Sequence, residues 1–311
     1  METGASLARP GGRRDGRIRP SQPSAARPFW QHKSRSPGRS RPGERSPPVQ
    51  LRFSFVILCV LRGFRFMSIA ENIAEVRERM AAAARRAARD PEEITLMGVS
   101  KTFPVERIRE AYDAGLRVFG ENRVQEFAGK ADAVRDLRDS EWHLIGHLQT
   151  NKAAKAAELF DAVDSVDSVR MAERMNASAE SAGKTLSVLI EINVGGEQAK
   201  SGVAPSSDER SSGEQGSDEL EQILQGAPRW GNLTIRGLMT VPPYTEDPEG
   251  SRPYFRQLRQ IRDSIAARGL PQISMAALSM GMSHDFEVAI EEGATCVRVG
   301  TAIFGERKER A

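Results

Sequence analysis

Eight short strand-like runs, at residues 94–100, 117–120, 141–145, 160–166, 186–194, 233–240, 272–278 and 295–299, alternate with helical stretches of nine to eighteen residues. The helical stretches fall at 104–114, 122–138, 150–158, 168–182, 218–226, 251–268 and 283–292. Strand–helix alternation with short connections calls for right-handed crossovers and a parallel sheet. Eight such units in one chain match a closed (β/α)8 barrel. A doubly wound open sheet is the alternative, but the Gly-rich turn expected after its first strand is missing. Ahead of the first strand, residues 68–89 read as a helix, with Ser68 as N-cap and Glu71 completing a capping box. Only a short helix around 301–304 can follow the last strand, so the leading helix is expected to cover the flank that a full final helix would occupy.

Charge divides the chain in two. Residues 1–66 contain 13 Arg and 1 Lys against Glu2, Asp15 and Glu44, a net of +11; taking that from the whole-chain +3 leaves residues 67–311 at −8. The part that looks foldable is therefore acidic, and no nucleic-acid surface is expected on it. The leader is rich in Arg, Pro, Ser and Gly and cannot bury enough apolar surface to offset its ordering entropy, so disorder is expected. Its apolar run Phe53–Leu61 is too short to span a bilayer and runs into Arg62 and Arg65 rather than a small-residue cleavage site. Three readings stand: a poorly formed signal peptide, a basic nucleic-acid-binding arm without the usual repeats, and upstream sequence ahead of a true start at Met67. The last is preferred, leaving a single domain over 67–311. Cys59 and Cys296 imply no disulfide framework and fit a cytoplasmic setting; no membrane segment is expected.

Chemistry is expected at the carboxyl ends of the strands. Lys101 closes the apolar run Ile94–Ser100 and precedes the turn Thr102-Phe103-Pro104. An amine there can be desolvated into a nucleophile, or it can simply snorkel to solvent. Ser279-Met280-Gly281-Met282-Ser283 follows the seventh run, and Gly300-Thr301 follows the eighth and leads into a short helix. Barrels of this type often hold a phosphate in these two loops. Glycines allow close approach of backbone N–H groups, and Ser279, Ser283 and Thr301 can donate hydroxyl hydrogen bonds. The bland alternative makes Ser283 an N-cap and the glycines turns. Arg298 interrupts an apolar run and is expected to point into the barrel mouth, where a buried cation needs an acceptor. That acceptor is either a pyridine nitrogen or a strand-end acid such as Glu121. A phosphate site facing a lysine suggests a ligand with a phosphate at one end and a carbonyl at the other. Pyridoxal 5′-phosphate is the leading candidate.

At this point specific strings can be matched. Val99-Ser100-Lys101, Phe119-Gly120-Glu121-Asn122, Trp142-His143-Leu144-Ile145-Gly146-His147-Leu148-Gln149 with Asn151-Lys152, Lys200-Ser201-Gly202, Arg236-Gly237-Leu238-Met239, Ser279-Met280-Gly281-Met282-Ser283 and Arg298-Val299-Gly300-Thr301-Ala302-Ile303-Phe304-Gly305 are the strings that carry a resemblance. From Met67 to about Gly305 the chain resembles the pyridoxal phosphate homeostasis proteins, single-domain relatives of the alanine racemase barrel domain. The resemblance implies a (β/α)8 barrel with Lys101 as the aldimine lysine. It further implies Ser279, Ser283, Gly300 and Thr301 around the phosphate, Arg298 near the pyridine nitrogen, and Asn122 and Met239 lining the pocket. The Ser- and Glu-rich stretch 203–217 departs from the family pattern, and residues 195–217 read as a long mobile loop in which Lys200 could approach the ligand.

His143 is expected to be a satisfied core residue rather than a cofactor contact, and His147 and His284 are expected at the surface. No His/Cys/Asp/Glu cluster has metal-ligand spacing, so no metal is expected. Two functions remain: a carrier that holds pyridoxal phosphate and passes it to apoenzymes, and an amino-acid racemase. Racemisation needs a base on each face of the substrate's α-carbon. In the racemases the resemblance implies that the second base is a tyrosine from a second domain, whereas this sequence ends at Ala311. An arginine at the ring nitrogen also makes a poor electron sink. The carrier is preferred, as a monomer.

Overall fold

The computed structural model describes residues 68–197, 201–205 and 216–306. The leader, Lys200 and part of the loop after the fifth strand lie outside these residues.

The expected alternation is realised as a closed barrel of eight parallel strands in sequence order. The strands are β1 (Thr95–Val99), β2 (Val118–Glu121), β3 (Glu141–Leu144), β4 (Ala162–Val166), β5 (Leu186–Glu191), β6 (Leu233–Met239), β7 (Ile273–Met282) and β8 (Cys296–Val299). Around them run α1 (Ile69–Arg86), α2 (Val105–Asp113), α3 (Val124–Ala128), α4 (Ala131–Val134), α5 (Ala153–Leu159), α6 (Val169–Ser181), α7 (Gly216–Gly226), α8 (Arg252–Ala267), α9 (Phe286–Glu291) and α10 (Thr301–Phe304). Closure comes from β1 pairing β8, with Met97 opposite Arg298 and Gly98 opposite Val299.

α1 forms where the capping box placed it: Ser68 Oγ accepts from the Glu71 N–H, and Glu71 accepts from the Ser68 N–H at 2.8 Å. Ile69, Ile73, Val76, Met80 and Ala83 recur at helical spacing and are buried. Each large aliphatic on that stripe contributes roughly 1.5–3 kcal/mol of burial. α1 packs on α9 and α10, and Asn72 Nδ2 donates to the Ile303 carbonyl at 2.8 Å. It therefore covers the flank left by the four-residue last helix, as expected.

The core has two layers. Outward strand residues such as Leu96, Phe119, Leu144 and Val163 pack against the helices. Inside the barrel are two small apolar clusters, Met97 with Val118 and Cys296, and Leu189 with Met239 and Ala277. The two-residue period of a strand assigns the faces. His143, Asp164, Glu191 and Arg298 are buried polar residues on the inner side.

Two elements differ from expectation. The stretch 122–138 is not one helix but α3 and α4, broken at Gly129-Lys130. β7 runs on to Met282, so Ser279–Met282 is strand rather than loop. Its register against β8 shifts between Ser279 and Met282, an irregularity that Gly281, at φ +91°, accommodates.

Candidate functional site

The carboxyl ends of β7, β8 and β1, three neighbouring strands, bring together Ser283, Gly300, Thr301 and Lys101. The strand period that turns Met97 and Val99 inward leads to Lys101 at the mouth, half-buried and followed by Thr102 in the left-handed region at φ +67°. On the neighbouring strand, a Cβ added to Gly300 would lie 3.6 Å from the Val99 Cβ. The Gly300 and Ala302 N–H groups both donate to Ser283 Oγ, at 3.2 and 3.4 Å. Two backbone donors thus converge on one oxygen at the start of α10, where Thr301 is exposed.

Three sequence readings change here. Ser283 is not the N-cap of α9; that position belongs to Asp285, whose Oδ1 accepts from the Met282 N–H at 2.7 Å. Gly281 is required by packing, since a Cβ there would come within 2.5 Å of the Ala289 Cβ. Ser279 is fully buried within β7, where its hydroxyl accepts from Arg298 Nη1 at 2.7 Å.

Arg298 points into the barrel and is 3 % exposed, so its partners decide its role. Besides Ser279, it donates through Nη2 to the Thr240 carbonyl at 2.7 Å. Among the described residues no carboxylate lies within ion-pair distance of it. Glu121 is not its counter-ion: that carboxylate faces the helices, where it accepts from Ser100 Oγ at 2.7 Å and meets Lys130 Nζ at 3.3 Å. Burial lowers the Arg298 pKa from its ordinary value. Met239 is fully buried and stands between Glu191 and Ser279 in the ladder. Asn122 follows β2 and is half-buried; Gly146 lacks a side chain where a Cβ would clash with the Asn122 carbonyl oxygen.

His143 is a core residue, as expected, with Nδ1 3.0 Å from Asp164. Burial alone would lower its pKa, but Asp164 and then Glu141 outweigh it and push the imidazole up to about 9. His147 meets Asp167 at 3.1 Å on the exposed side, and His284 is exposed. Cys296 is buried in the barrel, and that burial pushes its thiol up to about 12, which leaves it inert as a nucleophile.

Sequence reasoning missed two features. Glu191, the last residue of β5, faces the mouth with Oε2 buried and without a hydrogen-bond partner among the described residues. Burial and the nearby Asp167 carboxylate push it up to about 7 against the opposing pull of Arg298 and His147. An acid closing an otherwise apolar run was the available signal. The other is the Glu126–Lys130 pair beside Lys101, with its i,i+4 spacing visible in the sequence.

Residues 68–308 match the family described as alanine racemase, N-terminal domain. The chain is 46 % identical over 242 residues to a pyridoxal phosphate homeostasis protein of Aquifex aeolicus, covering 78 % of this chain and 100 % of that one. It is 44 % identical over 246 residues to the protein of the same description from Escherichia coli, with coverage of 77 % and 97 %. Among solved structures, PipY of Synechococcus elongatus with pyridoxal phosphate bound superposes with a TM-score of 0.64 at 36 % identity, over 76 % of this chain and 100 % of that one.

Proposed function

For a chain that belongs to the pyridoxal phosphate homeostasis protein family, we propose that residues 67–311 hold pyridoxal 5′-phosphate through Lys101 and serve as a carrier and buffer of that cofactor, without turning over an amino acid. The observation that carries this reading is the convergence of the Gly300 and Ala302 N–H groups on Ser283 Oγ beside the strand end that bears Lys101. When bound, pyridoxal phosphate supplies an aldehyde that condenses reversibly with an amine, and a ring whose electron-withdrawing power depends on its nitrogen.

The donor set fits such a ligand. Ser283, Gly300 and Thr301 offer hydroxyl and backbone donors for a phosphate, and Lys101 offers the amine. Arg298, a buried cation with no carboxylate within ion-pair distance among the described residues, is suited to a neutral acceptor such as a ring nitrogen. Ser279 holds Arg298 in place. Met239 and Asn122 line the pocket between these ends. An arginine at the ring nitrogen leaves the ring a weak electron sink, which disfavours carbanion chemistry on a bound amino acid.

Delivery to apoenzymes, a cytoplasmic setting and a monomeric state belong to the same proposal. Among the described residues no helix is long and apolar enough to cross a membrane. The test pairs a cofactor-binding titration with a turnover assay. The purified protein is expected to bind pyridoxal phosphate and to leave L- and D-alanine unracemised; sustained racemisation would overturn the carrier reading.

A further inference from the structure

Both peptide groups that flank Lys101 are tied to one ion-pair network. On one side, the Ser100 carbonyl accepts from Lys130 Nζ at 3.3 Å. On the other, the Thr102 N–H donates to Glu126 Oε1. The two tethers meet, because Lys130 Nζ also donates to Glu126 Oε1 at 2.9 Å. A third carboxylate-linked contact closes the cluster: Lys130 Nζ reaches Glu121 Oε1 at 3.3 Å, and the same oxygen accepts from Ser100 Oγ at 2.7 Å.

The inner part of the network is shielded, with the Lys130 side chain 13 % exposed and that of Glu121 0 %, so their contact is weakly screened, while Glu126 at 26 % lies nearer the surface. It also has something to hold. Thr102 is a β-branched residue at φ +67°, a conformation that its side chain disfavours and that persists only when surroundings impose it. Lys130 stands between α3 and α4, four residues after Glu126, so both side chains reach the same turn. Burial tends to raise the Glu126 pKa, but the hydrogen bonds from Lys130 and the Thr102 N–H prevail and lower it, so this acceptor is ionised at neutral pH.

We propose that Glu126 and Lys130 are positioning residues for Lys101, holding the Ser100 carbonyl and the Thr102 N–H so that the strained turn presents the lysine amine to the aldehyde of pyridoxal phosphate. This rests on the reading of Lys101 as the cofactor lysine. Neither residue touches the ligand; each acts through the backbone on either side of Lys101. Loss of the clamp lets Thr102 relax, and the amine then samples other directions.

The test compares wild type, Glu126→Gln, Lys130→Met and the double variant Glu126→Gln with Thr102→Gly. Two ligands are used: pyridoxal 5′-phosphate, whose capture on Lys101 is fixed by borohydride and timed, and pyridoxine 5′-phosphate, which lacks only the aldehyde and reports folding and the phosphate and ring contacts without capture. Both single variants are expected to slow capture by about tenfold or more, as small misplacements of a reacting group do, with pyridoxine 5′-phosphate affinity unchanged. Glycine adopts the left-handed conformation without strain, so Thr102→Gly is expected to restore capture in Glu126→Gln. Capture at the wild-type rate in both single variants overturns the proposal. So does a loss that Thr102→Gly does not restore, or a parallel loss of pyridoxine 5′-phosphate binding. Failure of the wild-type protein itself to place label on Lys101 would instead overturn the reading of that lysine, which keeps the two failures apart.

Discussion

Nη1 of Arg298 donates to Ser279 Oγ at 2.7 Å inside the barrel, so the buried cation is held by a hydroxyl rather than by a carboxylate. Its second bond, to the Thr240 carbonyl at 2.7 Å, fixes the guanidinium plane. Arg298→Ala would strand both acceptors and cost about 1–3 kcal/mol of stability. It should also weaken retention of pyridoxal phosphate by about tenfold, measured by equilibrium dialysis, because a charge-assisted contact is lost. Unchanged retention would show that Arg298 serves only the internal bonds.

Ser283→Ala removes the oxygen on which two N–H groups converge. Affinity for pyridoxal 5′-phosphate should fall by roughly tenfold while affinity for pyridoxal, which lacks the phosphate, changes little. Equal losses for both ligands would place Ser283 outside the phosphate end.

Glu191 gives the barrel a pH-dependent stability. Its folded pKa is raised, to about 7, above the ordinary glutamate value, so its contribution is fully present below the unfolded pKa and is lost as pH rises through about 7. Glu191→Gln mimics the protonated form. The variant should match wild type in urea unfolding at pH 4 and exceed it by about 1–3 kcal/mol at pH 8 without added cofactor. An identical difference at both pH values would mean that Glu191 does not titrate with this shift.

Gly281→Ala should destabilise strongly, by about 2–4 kcal/mol, since the added Cβ meets Ala289 at 2.5 Å on a backbone at φ +91°. A thermal midpoint equal to wild type would contradict the packing role assigned to this glycine.

Much of the barrel was legible because its elements repeat. Apolar runs of strand length punctuated by amphipathic stretches leave few topologies, and Ser68 with Glu71 marked the start of α1 within a residue. Lys101, Gly300 and Arg298 were legible as residues whose chemistry conflicts with an apolar strand or its end. What escaped the sequence was the set of partners. Ser279–Met282 looks like a loop by composition, and only pairing with β8 makes it a strand. Glu121 was the alternative partner open to Arg298, yet the two-residue period of β2 turns it outward to Ser100 and Lys130. The break at Gly129-Lys130 and the bond from Lys130 to the Ser100 carbonyl, just past β1, are features that helix periodicity does not carry.

The central claim is that Lys101 is the residue that holds the cofactor, and borohydride reduction followed by peptide mapping tests it most directly. Wild-type protein loaded with pyridoxal 5′-phosphate should be yellow, lose that absorption on reduction, and carry the label on Lys101, whereas Lys101→Ala should show neither. A Lys101→Ala variant with an unchanged spectrum and a label on another lysine would contradict the account.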